Sequence, residues 1–390
     1  MVSLFFCWGF IAAANAVLIP VCKDLFELSQ TQAQFVDLAF YLAYGLGGLS
    51  YFVFSLRLGD PLERFGYRKG LMLGLFMAAA GAFLFFPASR MHAYALLLFG
   101  LFCMGLGFSL LQIAANPYVM AMGAPKFEAQ RINLAGALNS LGTTIGPLVV
   151  NLAVFGVVSV DTPVLSFDRL GNTYAVVALL FACLALFFSW FKLPRVKRDD
   201  VDMPARLGAL QFPQLILGMV AIFLYVGTEV TIPANLADYL EREMGWSTQE
   251  ATPYIALYWG SLMMGRWMGS VAVLGLSALP AKVMRLLAPF LAFGLVLVVQ
   301  LLLGFEMERL PLMLSFGLYI PVVLLLPYLL GREKPAATLI AMSLAGFACM
   351  LVTMLVPGIV GALAAVAGGL ACAVLWPCIF ALALKGLGQY

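Results

Sequence analysis

A chain of 390 residues that is 63% apolar and only 11% charged, with a mean hydropathy of +1.01, falls outside the water-soluble class. Soluble domains carry about a quarter of their residues charged. The net charge of +3 is small and gives no reason to expect a nucleic-acid partner, so what remains is an all-α polytopic membrane protein.

A helix needs about 20 mostly apolar residues to cross the hydrocarbon. Twelve segments meet this, at roughly 2–22, 31–56, 70–88, 93–122, 132–158, 172–192, 212–240, 252–275, 284–304, 311–331, 336–356 and 358–386. The first holds Asn15-Ala16-Val17-Leu18-Ile19-Pro20 and continues past the point where a signal peptide would be cleaved. The second opens on Ser29 with Gln32 three residues on, a capping-box pattern. Within it Asp37, Tyr41, Tyr44 and Gly48 share one face at helical spacing. The fourth carries Gln112 and Asn116 one turn apart, beside Pro117. The fifth carries Asn133, Asn139 and Thr143, the last two again one turn apart. The seventh holds Thr228-Glu229-Val230-Thr231-Ile232-Pro233, an echo of the stretch at 15–20.

That echo spans 213 residues, and a second one, Asn116-Pro117 against Trp376-Pro377, spans 260. Proline-interrupted spans at matching places in two halves point to a carrier whose site lies between the halves near the bilayer midplane. The offsets differ by 47 residues, the length of Pro311 to Pro357, so an inserted helix pair is expected at about 311–357. The hydrophilic stretch Lys192 to Gln211 divides the chain into a six-helix bundle over 1–193, a cytoplasmic linker over 194–211 and a second bundle over 212–390. Lys and Arg collect in cytoplasmic loops. Alternate loops hold 16 of the 22 basic residues and the other loops five, with Arg266 at a helix end, which predicts both termini in the cytoplasm.

An acid inside hydrocarbon is expensive unless it faces a cavity. Asp37 and Glu229 are therefore candidates for loading and releasing a proton, against the alternative of a neutral carboxyl bonded across helices. Amides and hydroxyls donate and accept, which matches a sugar's hydroxyl array, although they also join helices. Asn15, Gln112, Asn116, Asn133, Asn139 and Thr143 form that set. Tyr258, Trp259 and Trp376 have faces on which a pyranose can stack, or else they pack. The seven cysteines lie in apolar segments without paired or zinc-type spacing and read as packing residues, and the single His92 reads as a surface residue. With no nucleophile–base pair and no ligand cluster, an enzyme, a cofactor and a metal are not expected.

The loop Gly59-Asp60-Pro61-Leu62-Glu63-Arg64-Phe65-Gly66-Tyr67-Arg68-Lys69 resembles the signature that the major facilitator superfamily carries between its second and third helices, where acid, Arg and Gly brace the closed cytoplasmic side. Leu111 to Val119, Arg131-Ile132-Asn133-Leu134-Ala135, Asn139 to Thr144, Tyr225 to Glu229, Tyr258-Trp259-Gly260, Gly265-Arg266 and Lys385-Gly386-Leu387-Gly388 are similar to its fucose, galactose and glucose:proton symporter family. The resemblance implies twelve core helices in two bundles, alternating access, and uptake of a hexose or 6-deoxyhexose with a proton through the bacterial inner membrane. The candidate sites are then Asp37 and Glu229 for the proton. Asn15, Tyr41, Gln112, Asn116, Asn139, Thr143, Tyr258, Trp259 and Trp376 are candidates for the sugar, and Gly59, Glu63, Arg64, Gly66, Arg68 and Arg266 for gating.

The fucose-carrying members have an aspartate at Ala16, a glutamate at Gln112 and a glutamine at Gly136, whereas glucose and galactose members also have glutamine at the position of Gln112. Coupling then passes to Asp37 or Glu229, with uniport, sodium coupling or a non-transporting sugar sensor as alternatives. Members continue past the Lys385 stretch with two more helices, so a C-terminally incomplete second bundle is expected. The partners expected are the sugar, a coupling cation and lipid, with the protein as a monomer.

Overall fold

The computed structural model describes residues 4–11, 22–23, 25–123, 127–155, 166–190, 207–331 and 334–387. Asn15 and its neighbours, and the linker up to residue 206, lie outside the described residues. The described chain is helical, with no strand among the described residues. Helical residues 4–11 form α1. After it come α2 (Phe35–Leu58), α3 (Tyr67–Arg90), α4 (Tyr94–Ala121), α5 (Glu128–Phe155), α6 (Phe167–Trp190) and α7 (Pro213–Met244). The order continues with α8 (Thr248–Ser270), α9 (Ala278–Leu302), α10 (Met307–Leu330), α11 (Pro335–Leu355) and α12 (Ile359–Ala383). Among the described residues, nine helices are long and apolar enough to span a membrane. The long helices α5 and α8 are the more polar pair, and they pack on each other.

Local chemistry sets the helix ends. The Ser29 backbone N–H donates to Gln32 Oε1 at 2.9 Å and the Gln32 N–H donates to Ser29 Oγ at 3.3 Å, so the capping box read from the sequence is formed. Gln34 keeps helical backbone angles (φ −66°, ψ −15°), so the short helix Gln30–Ala33 runs on into α2 and the span extends over Thr31–Leu58, with Asp37 inside its outer part. Between α2 and α3, Gly59 (φ 78°) and Gly66 (φ 86°) bracket the short helix Pro61–Phe65, and both hold a backbone that side chains disfavour. Asp60 caps that helix by accepting from the Leu62 N–H at 2.9 Å, and the Tyr51 hydroxyl donates to the same carboxylate. Arg68 Nη1 reaches the Ser189 carbonyl at 3.4 Å and ties the loop to the end of α6.

The buried side chains form two cores, one from α1 to α6 and one from α7 to α12, and Trp376 of α12 touches both. In the first, α4 lies along α2 and α3, and α3 along α6. Small residues permit the α3–α4 crossing: a Cβ added at Gly81 would stand 2.5 Å from the Gly100 carbonyl oxygen, and one at Gly100 would stand 2.7 Å from that of Gly81. In the second core α12 packs along α7, α8 and α11. Thus α12 holds the central place that α4 holds in the first core, and Pro377 and Pro117 lie inside corresponding helices.

The segment 311–357, where an inserted pair is expected, falls on α10 and α11. It is α11 that lies beside α12 as α3 lies beside α4, whereas α9 rests on α8. Within α10, Pro311, Pro321 and Pro327 remove backbone donors, and the helix changes from 3₁₀ at Phe316–Leu318 to π at Ile320–Leu325.

Replacing Gly100 by Leu is expected to lower thermal stability in detergent by about 1–3 kcal/mol, the usual cost of overpacking. Gly45→Ala, with open space around its added Cβ, should leave the unfolding temperature unchanged or slightly raised. Fluorescence-detected thermal unfolding of the two variants checks the pair.

Candidate functional site

The first half meets the second along α5 and α8. Arg266, in the last turns of α8, extends across this seam: Nη1 donates to Ser140 Oγ of α5 at 2.7 Å, and Nη2 donates to Glu229 Oε1 of α7 at 3.2 Å. The two charged side chains are 16% and 12% exposed. Gly136 opens the lane for the arginine stem, since a Cβ there would stand 3.2 Å from Arg266 Cδ. Around the pair lie Tyr225 from α7, the buried Tyr258 from α8 and the buried Cys372 from α12. The Tyr258 hydroxyl donates to the Glu229 carbonyl oxygen at 2.8 Å and fixes the proline-weakened middle of α7.

Among the described residues, two further bonds cross the seam. Trp267 Nε1 donates to the Ala137 carbonyl at 3.4 Å, and Thr144 Oγ1 donates to Met263 Sδ at 3.8 Å. Both are longer than the Arg266–Ser140 bond and neither is charge-assisted, so among the described residues Arg266 supplies the strongest polar tie between the halves.

Of the residues read from the sequence, Glu229 and Arg266 are brought together, one helix apart from Asn139 and Thr143 of α5. Asn139 is engaged elsewhere, its Nδ2 donating to the Phe5 carbonyl at 3.0 Å and holding α1 on α5. Thr143 donates to its own helix at Ser140. Gln112 and Asn116 bond each other, Asn116 Nδ2 to Gln112 Oε1 at 3.1 Å, and the Asn116 carbonyl oxygen of the side chain is buried without a partner among the described residues. Tyr258 is fully buried and is therefore not a stacking face, a correction to the sequence reading. Trp259 is exposed along one side, and Trp376 stacks on Phe380 at 5.1 Å. Tyr41 is 60% exposed on the same flank as the half-buried Asp37, and no hydrogen bond or ion pair among the described residues joins Asp37 to the Arg266 group.

Ser140 was missed because a single serine in a span carries no signal of its own. A second omission was legible: Thr228, Thr231, Asn235, Asp238 and Arg242 recur at three- and four-residue steps and form an exposed polar stripe along α7. Thr228 and Asn235 donate to carbonyls of their own helix, at Leu224 and Thr231. Such a stripe suits a water-filled side of the helix, not lipid.

Removing one member of the buried pair, by Glu229→Ala or Arg266→Ala, is expected to destabilise the protein by roughly 3–5 kcal/mol, because the other charge is left unpaired. Removing both should cost less than the sum. A double-mutant cycle on unfolding free energy measures the coupling.

Compared with known proteins, residues 1–390 match the model of the Major Facilitator Superfamily. A glucose/galactose transporter of Brucella abortus is 37% identical over 274 residues, 69% of this chain and 65% of that protein. The L-fucose-proton symporter of Escherichia coli is 28% identical over 298 residues, 69% of this chain and 65% of that protein. The chain thus spans about 65% of the length of these curated relatives. The solved fucose:proton symporter of E. coli superposes with a TM-score of 0.71 at 22% identity, covering 100% of this chain and 84% of that one, which shows the shared fold.

Proposed function

We propose, from the premise that this chain belongs to the Major Facilitator Superfamily, that it carries a hexose or 6-deoxyhexose through the bacterial inner membrane by alternating access, coupled to protons. The observation that carries the reading is the buried charged group at the seam, where Arg266 of the second half holds Ser140 of the first. Buried ions inside a membrane protein are costly and mark transport pathways. The sugar class follows the names of the relatives, glucose/galactose transporter and L-fucose-proton symporter. The substrate-facing set comprises Trp259, Gln112, Asn116, Trp376 and the polar flank of α7, with Asn139 and Thr143 beside the seam.

The two acids take different parts in this reading. Glu229 is paired with Arg266 at the seam. Asp37 has no cationic partner among the described residues, and a half-buried carboxyl without one is the better group to gain and lose a proton. The chain divides into bundles over 1–193 and 212–390, with the basic loops and both termini on the cytoplasmic side, and acts as a monomer in lipid. The glycine-bracketed loop with Arg64 and Arg68 closes that side.

The test is uptake of labelled glucose, galactose and fucose by vesicles with and without an imposed pH gradient. Uptake of one of them, accelerated by the gradient, is the expected result; no uptake of any sugar overturns the carrier reading. In the same vesicles Asp37→Asn should abolish gradient-driven accumulation and spare counterflow. Unchanged accumulation in that variant moves the coupling to Glu229 or to sodium.

A further inference from the structure

We infer that Glu229 is a positioning residue that acts through Arg266, aiming the guanidinium across the seam so that its bond to Ser140 bolts the two halves together. The inference rests on the carrier reading above, since a bolt has a purpose only where halves separate. Three observations carry it. The guanidinium divides its donors between helices of different halves, one nitrogen at 3.2 Å from Glu229 and the other at 2.7 Å from Ser140. The lane it follows exists because residue 136 has no side chain, a Cβ there coming within 3.2 Å of Arg266 Cδ. Its bond to Ser140 is the shortest and the only charge-assisted bond among those described between α5 and α8.

The arrangement separates two tasks. Glu229 and Arg266 both belong to the second half, so their pair survives when the halves part and no bare cation is left in a low-dielectric site. Only the Ser140 bond has to break. Its loss leaves a serine hydroxyl, which turns to a carbonyl of its own helix at little cost. Without Glu229, the cation would have nothing on its own half to fall back on, and separation would strand it. Glu229 therefore orients the guanidinium while the halves are joined and shelters it when they are apart.

The experiment measures the distance between halves directly, without sugar. Spin labels are placed at Lys69→Cys and Lys282→Cys, exposed residues on the two halves, in the full chain in lipid nanodiscs with the exposed Cys183 replaced by serine. Ser140→Ala removes only the cross-seam acceptor and should raise the ratio of separated to joined forms roughly tenfold, the weight of one charged hydrogen bond. Gly136→Val removes no bonding group but blocks the lane, and should do the same. Glu229→Asp should retain the wild-type distribution in large part, whereas Glu229→Gln should shift it and slow the interconversion of the two forms. Wild-type distance distributions in Ser140→Ala and Gly136→Val, with unfolding temperatures unchanged, would overturn the bolt. If the distances shift as expected while vesicles take up no sugar, the bolt stands and the carrier reading fails.

Discussion

Burying a charge inside a membrane protein constrains everything near it. Arg266 and Glu229 are each largely withdrawn from solvent, and at an effective protein dielectric of about 20 a contact pair is worth roughly 4 kcal/mol, much of it offset by desolvation. Such a pair is tolerated only when its remaining donors are satisfied. That requirement explains the surroundings: Ser140 takes the second guanidinium nitrogen, Tyr258 anchors the backbone at Glu229, and residue 136 yields the space. A single ion pair thus dictates residue choice on α5, α7 and α8 at once.

The same helices show two kinds of adhesion. Within the first half, α3 and α4 approach until glycine carbonyls of one would touch a Cβ on the other, a packing built on dispersion and shape. Between the halves, apolar contacts such as those of Trp376 and Leu141 are joined by hydrogen bonds from Arg266 and Trp267. Close van der Waals packing has no intermediate state and resists sliding, whereas a few hydrogen bonds can be exchanged one at a time. The distribution of the two fits a molecule whose halves are rigid and whose seam is negotiable.

How much of this was legible in the sequence depended on whether the signal was local. The helices, the Ser29–Gln32 cap and the glycine-bracketed loop could be read because each is decided within a few residues. The central place of α12 was readable from the Trp376-Pro377 echo. The Glu229–Arg266–Ser140 group was not, because its members sit on three helices and helical periodicity says which residues share a face but not which faces meet. For the same reason Gln112 and Asn116, read as substrate contacts, were not seen to bond each other, and Tyr258, read as a stacking face, proved to be buried. Which of α9, α10 and α11 lies beside α12 was not legible either, since the three are equally apolar and composition does not distinguish neighbours.

The irregular course of α10 has a mechanical side. Helices mesh when their side chains form evenly pitched ridges, and the pitch depends on a constant number of residues per turn. In α10 that number changes three times between Ser315 and Leu326, from α to 3₁₀, then to π, and back to α. No neighbour can key into it with one regular set of ridges along its whole length, and the side chains it buries, Met313, Phe316, Ile320 and Leu324, fill the second core one by one.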